Sequence, residues 1–238
     1  MNNKIKAIFW DYDGTLVDTR LKNFNVAKNI LQQVIKRDIK QYPIFQNPAV
    51  YNDSIRNYAN WREFYVNEFG LSESETDFAG SLWTEYHLQD ETDTPLFPGL
   101  DQVFDNLVQV PHAIISQNSS QSIKRFLDNN LLTKYFKVVI GYEEVELRRQ
   151  KPEPDGLLLA IEKLLLDGNG EIFYIGDHET DILCARNANQ FLKKNKSNIT
   201  IRTIGAFYSH TSKEDNWAVM PDYIARKPLE IYQIVEGR

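Results

Sequence analysis

Short apolar runs alternate with amphipathic stretches over most of the chain. The runs are four to ten residues long and rich in Ile, Val, Phe and Tyr, which is typical of buried strands. They lie at 7–10, 112–116, 137–141, 171–176 and 198–207, with a short edge strand predicted at 221–225. Helical patterns separate them at 100–107, around 123–127, at 154–166, at 180–189 and from Pro228 onward. This alternation predicts an α/β fold with a doubly wound, Rossmann-like parallel sheet.

One segment departs from the alternation. Residues 20–37 have the apolar spacing of an amphipathic helix, and residues 50–90 are helical in pattern, rich in aromatic side chains and divided near Gly70. We see no strand pattern in this segment, and its aromatic residues are most simply a helical core. The pattern therefore predicts an all-helical cap at 20–92, inserted into an α/β core made of 1–19 and 93–238.

Composition excludes several classes of protein. Of the 238 residues, 42% are hydrophobic and 25% are charged, which is normal for a globular protein. The net charge is −6 and the basic residues are scattered, so we predict no nucleic-acid partner. No apolar run approaches the roughly 18 residues of a membrane span, and the first residues lack a signal-peptide pattern. With Cys184 as the single cysteine, a cytoplasmic location is expected.

The first strand ends in a pair of acids. Asp11 and Asp13 follow the apolar run on alternate residues, and Gly14 comes next. Ligands of open α/β sheets bind beyond the carboxyl ends of the strands, so this loop points to the place where chemistry occurs. Two carboxylates this close repel unless a cation lies between them, and an oxygen-seeking ion such as Mg2+ is the simplest solution. Taken alone, the stretch is also compatible with an ordinary turn and helix cap.

Three further polar positions occur at or after later strands. Ser116-Gln117-Asn118 follows the second strand, Lys151 precedes the helix at 154–166, and Asp177 and Asp181 follow the fourth strand. Each of them also has an explanation without function, as a turn, a solvated lysine or a helix cap. Together they supply acids for a hard cation, a lysine and a hydroxyl. That set suits phosphoryl transfer, in which a carboxylate attacks phosphorus and a second one handles the leaving-group proton.

The four positions, in this order, resemble the haloacid dehalogenase superfamily, and within it phosphatases like phosphoglycolate phosphatase that carry a helical cap after the first motif. The first motif, Asp11-Tyr-Asp13-Gly-Thr, is highly specific, and Gly176-Asp177-x-x-x-Asp181 is moderately so. The motifs at Ser116 and Lys151 are weak by themselves. The resemblance covers residues 5–19 and about 95–225.

The resemblance implies a role for each matched residue. Asp11 is the expected nucleophile and forms an aspartyl-phosphate, and Asp13 is the general acid and then the base. Ser116 is expected to hydrogen-bond the phosphate and Lys151 to clamp it. Asp11, the backbone carbonyl of Asp13 and Asp177 are the expected Mg2+ ligands, with Asp181 as a further ligand or its support. The chain departs from the family at Gln117, where Asn is usual, and Asn118 is a partial substitute.

The expected function is a Mg2+-dependent phosphatase acting on a small phosphorylated metabolite, such as phosphoglycolate or a sugar phosphate. A sugar phosphomutase uses the same motifs and is the main alternative enzyme, while Asp13 argues against a dehalogenase. The alternative from another class is a binding protein that keeps the fold without catalysis. In the cap, Arg62 and His87 are polar candidates for substrate contact, although a surface or packing role fits each of them better. His178 is expected to line the cleft.

Overall fold

The structure is a computed structural model, and it describes residues 5–35, 38–58, 60–209 and 217–237. The chain divides into two compact units. Unit 1 comprises Met1–Asp18 and Pro95–Arg238, and unit 2 comprises Thr19–Thr94.

Unit 1 is built on a six-stranded sheet in which every neighbouring pair of strands is parallel. The strands are β1 Ile5–Trp10, β2 His112–Ile115, β3 Phe136–Ile140, β4 Gly170–Gly176, β5 Ile199–Ala206 and β6 Tyr223–Ala225. Their order in the sheet is β3-β2-β1-β4-β5-β6. The order reverses direction at β1, so β1 and β4 lie side by side at the topological switch point, where α/β sheets bind their ligands. The predicted α/β parallel fold is confirmed.

Both faces of the sheet are buried, which explains why the strands read as continuous apolar runs. Alternate residues of β1 point to opposite faces: Ile8 and Trp10 belong to one apolar cluster, and Ala7 and Phe9 belong to the other. All four side chains are fully buried. The sheet is therefore a rigid support for whatever its carboxyl ends carry.

Five α-helices in the described part of unit 1 alternate with the strands or follow them. They are α5 Leu100–Asn106, α6 Ser120–Asn129, α7 Asp155–Lys163, α8 Glu179–Lys194 and α9 Pro228–Val235, and short 3₁₀ turns follow β3 and β5. Two of the predicted helices end several residues away from the expected position. The helix predicted at 154–166 ends at Lys163, because Leu165 takes a positive φ of 51°, and the helix predicted at 180–189 continues to Lys194.

The described residues of unit 2 form helices and connecting loops, and none of them is in a strand. Its α-helices are α1 Arg20–Val34, α2 Pro48–Ile55, α3 Trp61–Phe69 and α4 Glu73–Gln89. The helix predicted at 20–37 ends at Val34 because Ile35 is extended, and Lys36 and Arg37 lie outside the described residues. The aromatic side chains form the core of this unit, with Phe64 fully buried and in edge-on contact with Tyr51 and Phe69. The packing role predicted for the aromatic residues agrees with these contacts.

The two ends of unit 1 that flank unit 2 in the sequence are hydrogen-bonded to each other. The backbone N–H of Asp18 donates to the carbonyl of Pro95 (3.1 Å), and the N–H of Phe97 donates to the carbonyl of Leu16 (3.0 Å). The chain thus leaves unit 1 and returns to it at adjacent points. Within the described residues, no helix has the length and apolar character needed to cross a membrane.

Candidate active site

The loop after β1 brings two carboxylates beyond the end of the strand. The N–H of Asp11 still pairs with the carbonyl of Ile175 on β4 (2.8 Å), so this residue is held by the sheet. The loop then turns tightly, because the N–H groups of Thr15, Leu16 and Val17 all lie within hydrogen-bonding distance of the carbonyl of Tyr12. Asp11 is buried and Asp13 is half-buried.

Gly14 is required in this turn for two reasons. Its φ is +76°, a conformation that costs an L-residue about 1–2 kcal/mol. In addition, a Cβ at this position would lie 2.2 Å from Oδ2 of Asp177. The loop after β1 and the loop after β4 therefore approach each other at a distance that only glycine allows, and the Asp177 carboxylate lies against the backbone of the first motif.

Lys151 lies between two buried carboxylates. Its Nζ donates to Oδ1 of Asp11 (2.6 Å) and to Oδ1 of Asp181 (2.7 Å), and all three side chains are at most 10% exposed. The residue follows β3, and its peptide bond to Pro152 is cis. The burial of this lysine excludes the alternative of a solvated surface residue. It also places a positive charge at the carboxyl end of β1, where a buried anionic group needs one.

Burial sets the protonation of this cluster. Desolvation raises the pKa of Asp11 to about 7, Lys151 acts in the opposite direction, and the charges of Asp181 and Asp13 add to the rise. For Lys151, burial by itself lowers the pKa, but the adjoining Asp11 and Asp181 carboxylates outweigh it and raise the pKa of the ammonium. Lys151 is thus positively charged at neutral pH, and the ionised form of Asp11 depends on the cations around it.

Asp181 is held by three donors. Besides Lys151, the hydroxyl of Tyr174 donates to its Oδ1 (2.8 Å), and the N–H of His178 donates to its Oδ2 (3.2 Å). Burial raises the pKa of Tyr174 well above its usual value, so the phenol keeps its proton. Sequence reasoning missed Tyr174. The sequence did contain a clue to it. Tyr174 lies in an apolar strand two residues before Gly176, and a buried tyrosine hydroxyl usually has a hydrogen-bond partner.

Asp13 faces the loop after β2. The amide nitrogen of Asn118 lies 3.1 Å from both carboxylate oxygens of Asp13, and Oγ of Ser116 lies 3.5 Å from one of them. Gln117 does not share this contact, because its amide donates to the backbone carbonyl of Lys151 (3.3 Å). The two neighbouring amides therefore make different contacts. Asn118 binds the carboxylate of Asp13, and Gln117 binds the backbone carbonyl of Lys151.

Three carboxylates are arranged so that they could hold a cation. Asp11, Asp177 and Asp181 each offer one oxygen, and these three atoms lie within 4.8 Å of one another. An all-oxygen, anionic donor set fits a hard divalent ion such as Mg2+. The carboxylate of Asp177 lies against the first motif, next to Asp11. Both oxygens of Asp181 accept hydrogen bonds, which suits a residue that supports the site.

The other polar candidates have local partners. In unit 2, Arg62 forms an ion pair with Asp77, and His87 is buried beside the ring of Trp83. In unit 1, Nδ1 of His178 accepts from the N–H of Thr180 (3.3 Å) at the start of α8. The surface and packing roles favoured for Arg62 and His87 agree with these contacts.

Comparisons with known proteins show which family and which proteins the chain is similar to. The model of a family described as haloacid dehalogenase-like hydrolase matches residues 8–192. Pyrophosphatase PpaX of Listeria monocytogenes is 26% identical, over 99% of this chain and 98% of its own length. Phosphoglycolate phosphatase of Vibrio parahaemolyticus is 24% identical, over 97% and 96%. A crystal structure from Lactobacillus plantarum has a TM-score of 0.75 at 21% identity, covering 98% of this chain and 100% of that one, which supports the fold.

Proposed function

Because the chain belongs to the haloacid dehalogenase-like hydrolase family, whose relatives above are phosphatases, we propose that it is a Mg2+-dependent phosphatase that acts through an aspartyl-phosphate on Asp11. The observation that carries this proposal is the environment of Asp11. A buried carboxylate lies 2.6 Å from a buried lysine, at the end of the strand beside Asp177. A nucleophilic carboxylate needs such a charged, water-poor site, because it must approach an anionic phosphate.

In the first step, an oxygen of Asp11 attacks phosphorus and the bond from phosphorus to the leaving oxygen breaks. Lys151 neutralises part of the charge that the phosphate brings to the nucleophile. We propose that Ser116 hydrogen-bonds a phosphate oxygen, because its buried hydroxyl lies at the end of β2, next to β1. Asp181 and Tyr174 support the reaction by keeping the lysine in place.

Asp13 completes both steps as the proton carrier. In the first step it gives a proton to the leaving oxygen, and in the second it takes a proton from the water that attacks the aspartyl-phosphate. Its position supports this role, since it is half-buried, follows the nucleophile by two residues and is held by Asn118. The products are the free alcohol or acid and inorganic phosphate.

Asp11, Asp177 and the backbone carbonyl of Asp13 are the residues we propose to hold Mg2+, with Asp181 as a further ligand or a supporting residue. When bound, the cation supplies positive charge that keeps Asp11 ionised and reduces the repulsion between nucleophile and phosphate. The fit of the donor set rests on the three neighbouring carboxylates and on the approach of Asp177 to Gly14.

We propose a small phosphorylated metabolite as substrate, with phosphoglycolate and inorganic pyrophosphate as the first compounds to examine. Relatives similar over nearly their whole length carry names for these two activities, at 24% and 26% identity. Segment 20–92 is the proposed cap that selects between such substrates, with 1–19 and 93–238 as the catalytic core. A sugar phosphomutase on the same core is the alternative reaction.

The deciding experiment is phosphate release from p-nitrophenyl phosphate, phosphoglycolate, pyrophosphate and sugar phosphates, with Mg2+ or with EDTA. We expect Mg2+-dependent release that Asp11→Asn lowers at least about 1,000-fold, because the neutral amide cannot attack phosphorus. Asp101→Asn, the same change at an exposed position of α5, is the matched control and should keep full activity.

The alternatives give different results in the same assay. Release that persists in Asp11→Asn contradicts the nucleophile assignment. A mutase would convert one sugar phosphate into another without net phosphate release. A binding protein would release no phosphate from any compound, and millimolar Mg2+ would not raise its melting temperature.

A further inference from the structure

The side chain of Asn118 spans the gap between the loop after β2 and the acidic residue of the first motif. Its Nδ2 lies 3.1 Å from Oδ1 and 3.1 Å from Oδ2 of Asp13, although the two residues are 105 positions apart in the sequence. Asn118 itself is only 3% exposed. A buried amide that meets both oxygens of one carboxylate restricts the rotation of that carboxylate.

The direction of the Asn118 amide follows from its other contact. The backbone N–H of Ser119 donates to Oδ1 of Asn118 (2.7 Å), so this oxygen is the acceptor end of the amide. The NH2 end then faces Asp13, which as a carboxylate can only accept. A flipped amide would place two donors together at Ser119 and two acceptors together at Asp13, and both contacts would be lost.

The loop that carries Asn118 is fixed by the segment after β3. The N–H of Tyr142 donates to the carbonyl of Asn118 (3.0 Å), and the carboxylate of Glu143 accepts from the hydroxyl of Ser119 (2.5 Å) and the N–H of Ser120 (2.7 Å). A Cβ on Gly141 would lie 2.3 Å from the nitrogen of Ser120, so the two segments are in direct backbone contact. Asn118 is therefore anchored independently of Asp13.

We infer that Asn118 is a positioning residue for Asp13: it holds the carboxylate in the orientation from which Asp13 exchanges a proton with the leaving oxygen. This inference rests on the proposed function, in which Asp13 is the general acid. It assigns Asn118 of the second motif to the proton-transfer step, while Ser116 keeps its proposed contact with the phosphate. A residue with this role should affect substrates according to how much their leaving oxygen needs a proton.

The test compares kcat/KM for two substrates that differ in how much their leaving oxygen needs a proton. p-Nitrophenyl phosphate has a leaving group that departs readily as an anion, whereas the alkoxide of propyl phosphate needs a proton as it departs. For Asn118→Ala we expect a loss of about 10- to 100-fold with propyl phosphate and of less than about 5-fold with p-nitrophenyl phosphate. The larger loss is part of the roughly 100- to 10,000-fold that general acid catalysis supplies, because Asp13 itself remains. A merely structural role would lower both values equally.

Two further variants complete the design. Asn118→Leu keeps the approximate size of the side chain and removes the donor without adding a charge, so it should show the same selective loss, and it decides the matter if Asn118→Ala does not fold. Asn130→Ala makes the same change at the other end of α6, where the amide donates to the carbonyl of Phe126 (2.9 Å). It should leave both kcat/KM values unchanged.

Asp13→Asn, measured with the same substrates, separates this inference from the proposed function. If Asp13→Asn lowers kcat/KM equally for both substrates, Asp13 is not the general acid of the first step, and the proposed function is wrong at that step. The comparison uses kcat/KM because the second step, in which Asp13 acts as base, is the same for both substrates. Asp13→Asn is selective if it lowers kcat/KM more for propyl phosphate than for p-nitrophenyl phosphate. If it is selective, but both Asn118 variants lower the two kcat/KM values equally or leave them unchanged, the positioning role is wrong. A faster reaction in Asn118→Ala would also overturn it, because the amide would then hold Asp13 away from the leaving oxygen.

Discussion

Single residues control this site through close contacts, and Gly14 is the clearest case. Gly14→Ala should weaken Mg2+ binding at least about 10-fold, because the new Cβ would displace the Asp177 carboxylate that lies 2.2 Å away. Isothermal titration of the purified variant with Mg2+ measures this directly.

Gly70 provides a control for backbone strain. It has a similar φ of +67° at the end of α3, but no atom lies within 4 Å of its missing Cβ. Gly70→Ala should lower the free energy of unfolding by about 1 kcal/mol and leave Mg2+ affinity unchanged. Equal Mg2+ affinity in Gly14→Ala and Gly70→Ala would contradict the proposal that Asp177 contributes to Mg2+ binding.

His112 makes stability depend on pH in the acid range. It is fully buried on β2, where Nδ1 accepts from the indole N–H of Trp10 (2.9 Å) and Nε2 pairs with the carbonyl of Leu107 (3.1 Å). Burial lowers its pKa from 6.5 to about 4, so between these values the unfolded chain binds more protons than the folded one. The stabilisation is complete above pH 6.5, and about 3 kcal/mol of it should be lost as the pH falls to 4.

Urea unfolding of the native chain and of His112→Gln, at several pH values from 4 to 7.5, tests this expectation. Glutamine retains a donor and an acceptor but does not titrate, so the difference in stability between the two proteins should narrow as the pH falls. A difference that is constant with pH would mean that folding does not lower the pKa of His112.

At the scale of elements, two helices are each followed by a leucine with a positive φ, a strained conformation that glycine would relieve. Leu131 follows α6 with a φ of +58°, and Leu165 follows α7 with a φ of +51°; both side chains are more than 80% exposed. A glycine there would relieve about 1–2 kcal/mol of backbone strain and lose less than about 1 kcal/mol of chain entropy. We expect Leu131→Gly and Leu165→Gly each to raise the free energy of unfolding by about 0.5 kcal/mol.

The opposite result is expected for Leu229→Gly. Leu229 is also partly exposed, but it lies inside α9, where glycine costs about 1 kcal/mol. Chemical denaturation of the three variants compares them under one condition. A loss of stability at Leu131 and Leu165 as large as that at Leu229 would contradict the strain argument.

At the scale of the whole molecule, unit 1 should fold without unit 2. It contains all six strands, and Asp18 and Pro95 are already joined by a backbone hydrogen bond of 3.1 Å. Replacing residues 19–94 by Asn-Gly, a two-residue hairpin turn, should therefore give a chain that unfolds cooperatively. It should bind Mg2+ within about 3-fold of the native affinity, since Asp11, Asp177 and Asp181 all remain.

Circular dichroism, urea unfolding and Mg2+ titration of the shortened chain check this expectation. Asp177→Asn in the same shortened chain is the control, and it should abolish Mg2+ binding without affecting the sheet. A shortened chain that lacks a cooperative transition would show that unit 1 depends on unit 2 for its stability.

Much of this organisation is local in the sequence and was predictable from it. The apolar runs identified the strands, because strands buried on both faces need apolar side chains at every position. The helical segment between the first and second strands was evident from its periodicity. The acids, the hydroxyl and the lysine were found because they follow strand ends, and a parallel sheet brings such ends to one edge.

The partner of each site residue was decided by the tertiary structure. Lys151 meets Asp11 across 140 residues and also meets Asp181, while Asn118 rather than Gln117 meets Asp13. Such pairings depend on strand order and on the packing of loops, which no local pattern encodes. The sequence by itself determined which residues are available for chemistry and at which edge of the sheet they lie. Only the folded chain decided their contacts and burial, because both arise from segments far apart in the sequence.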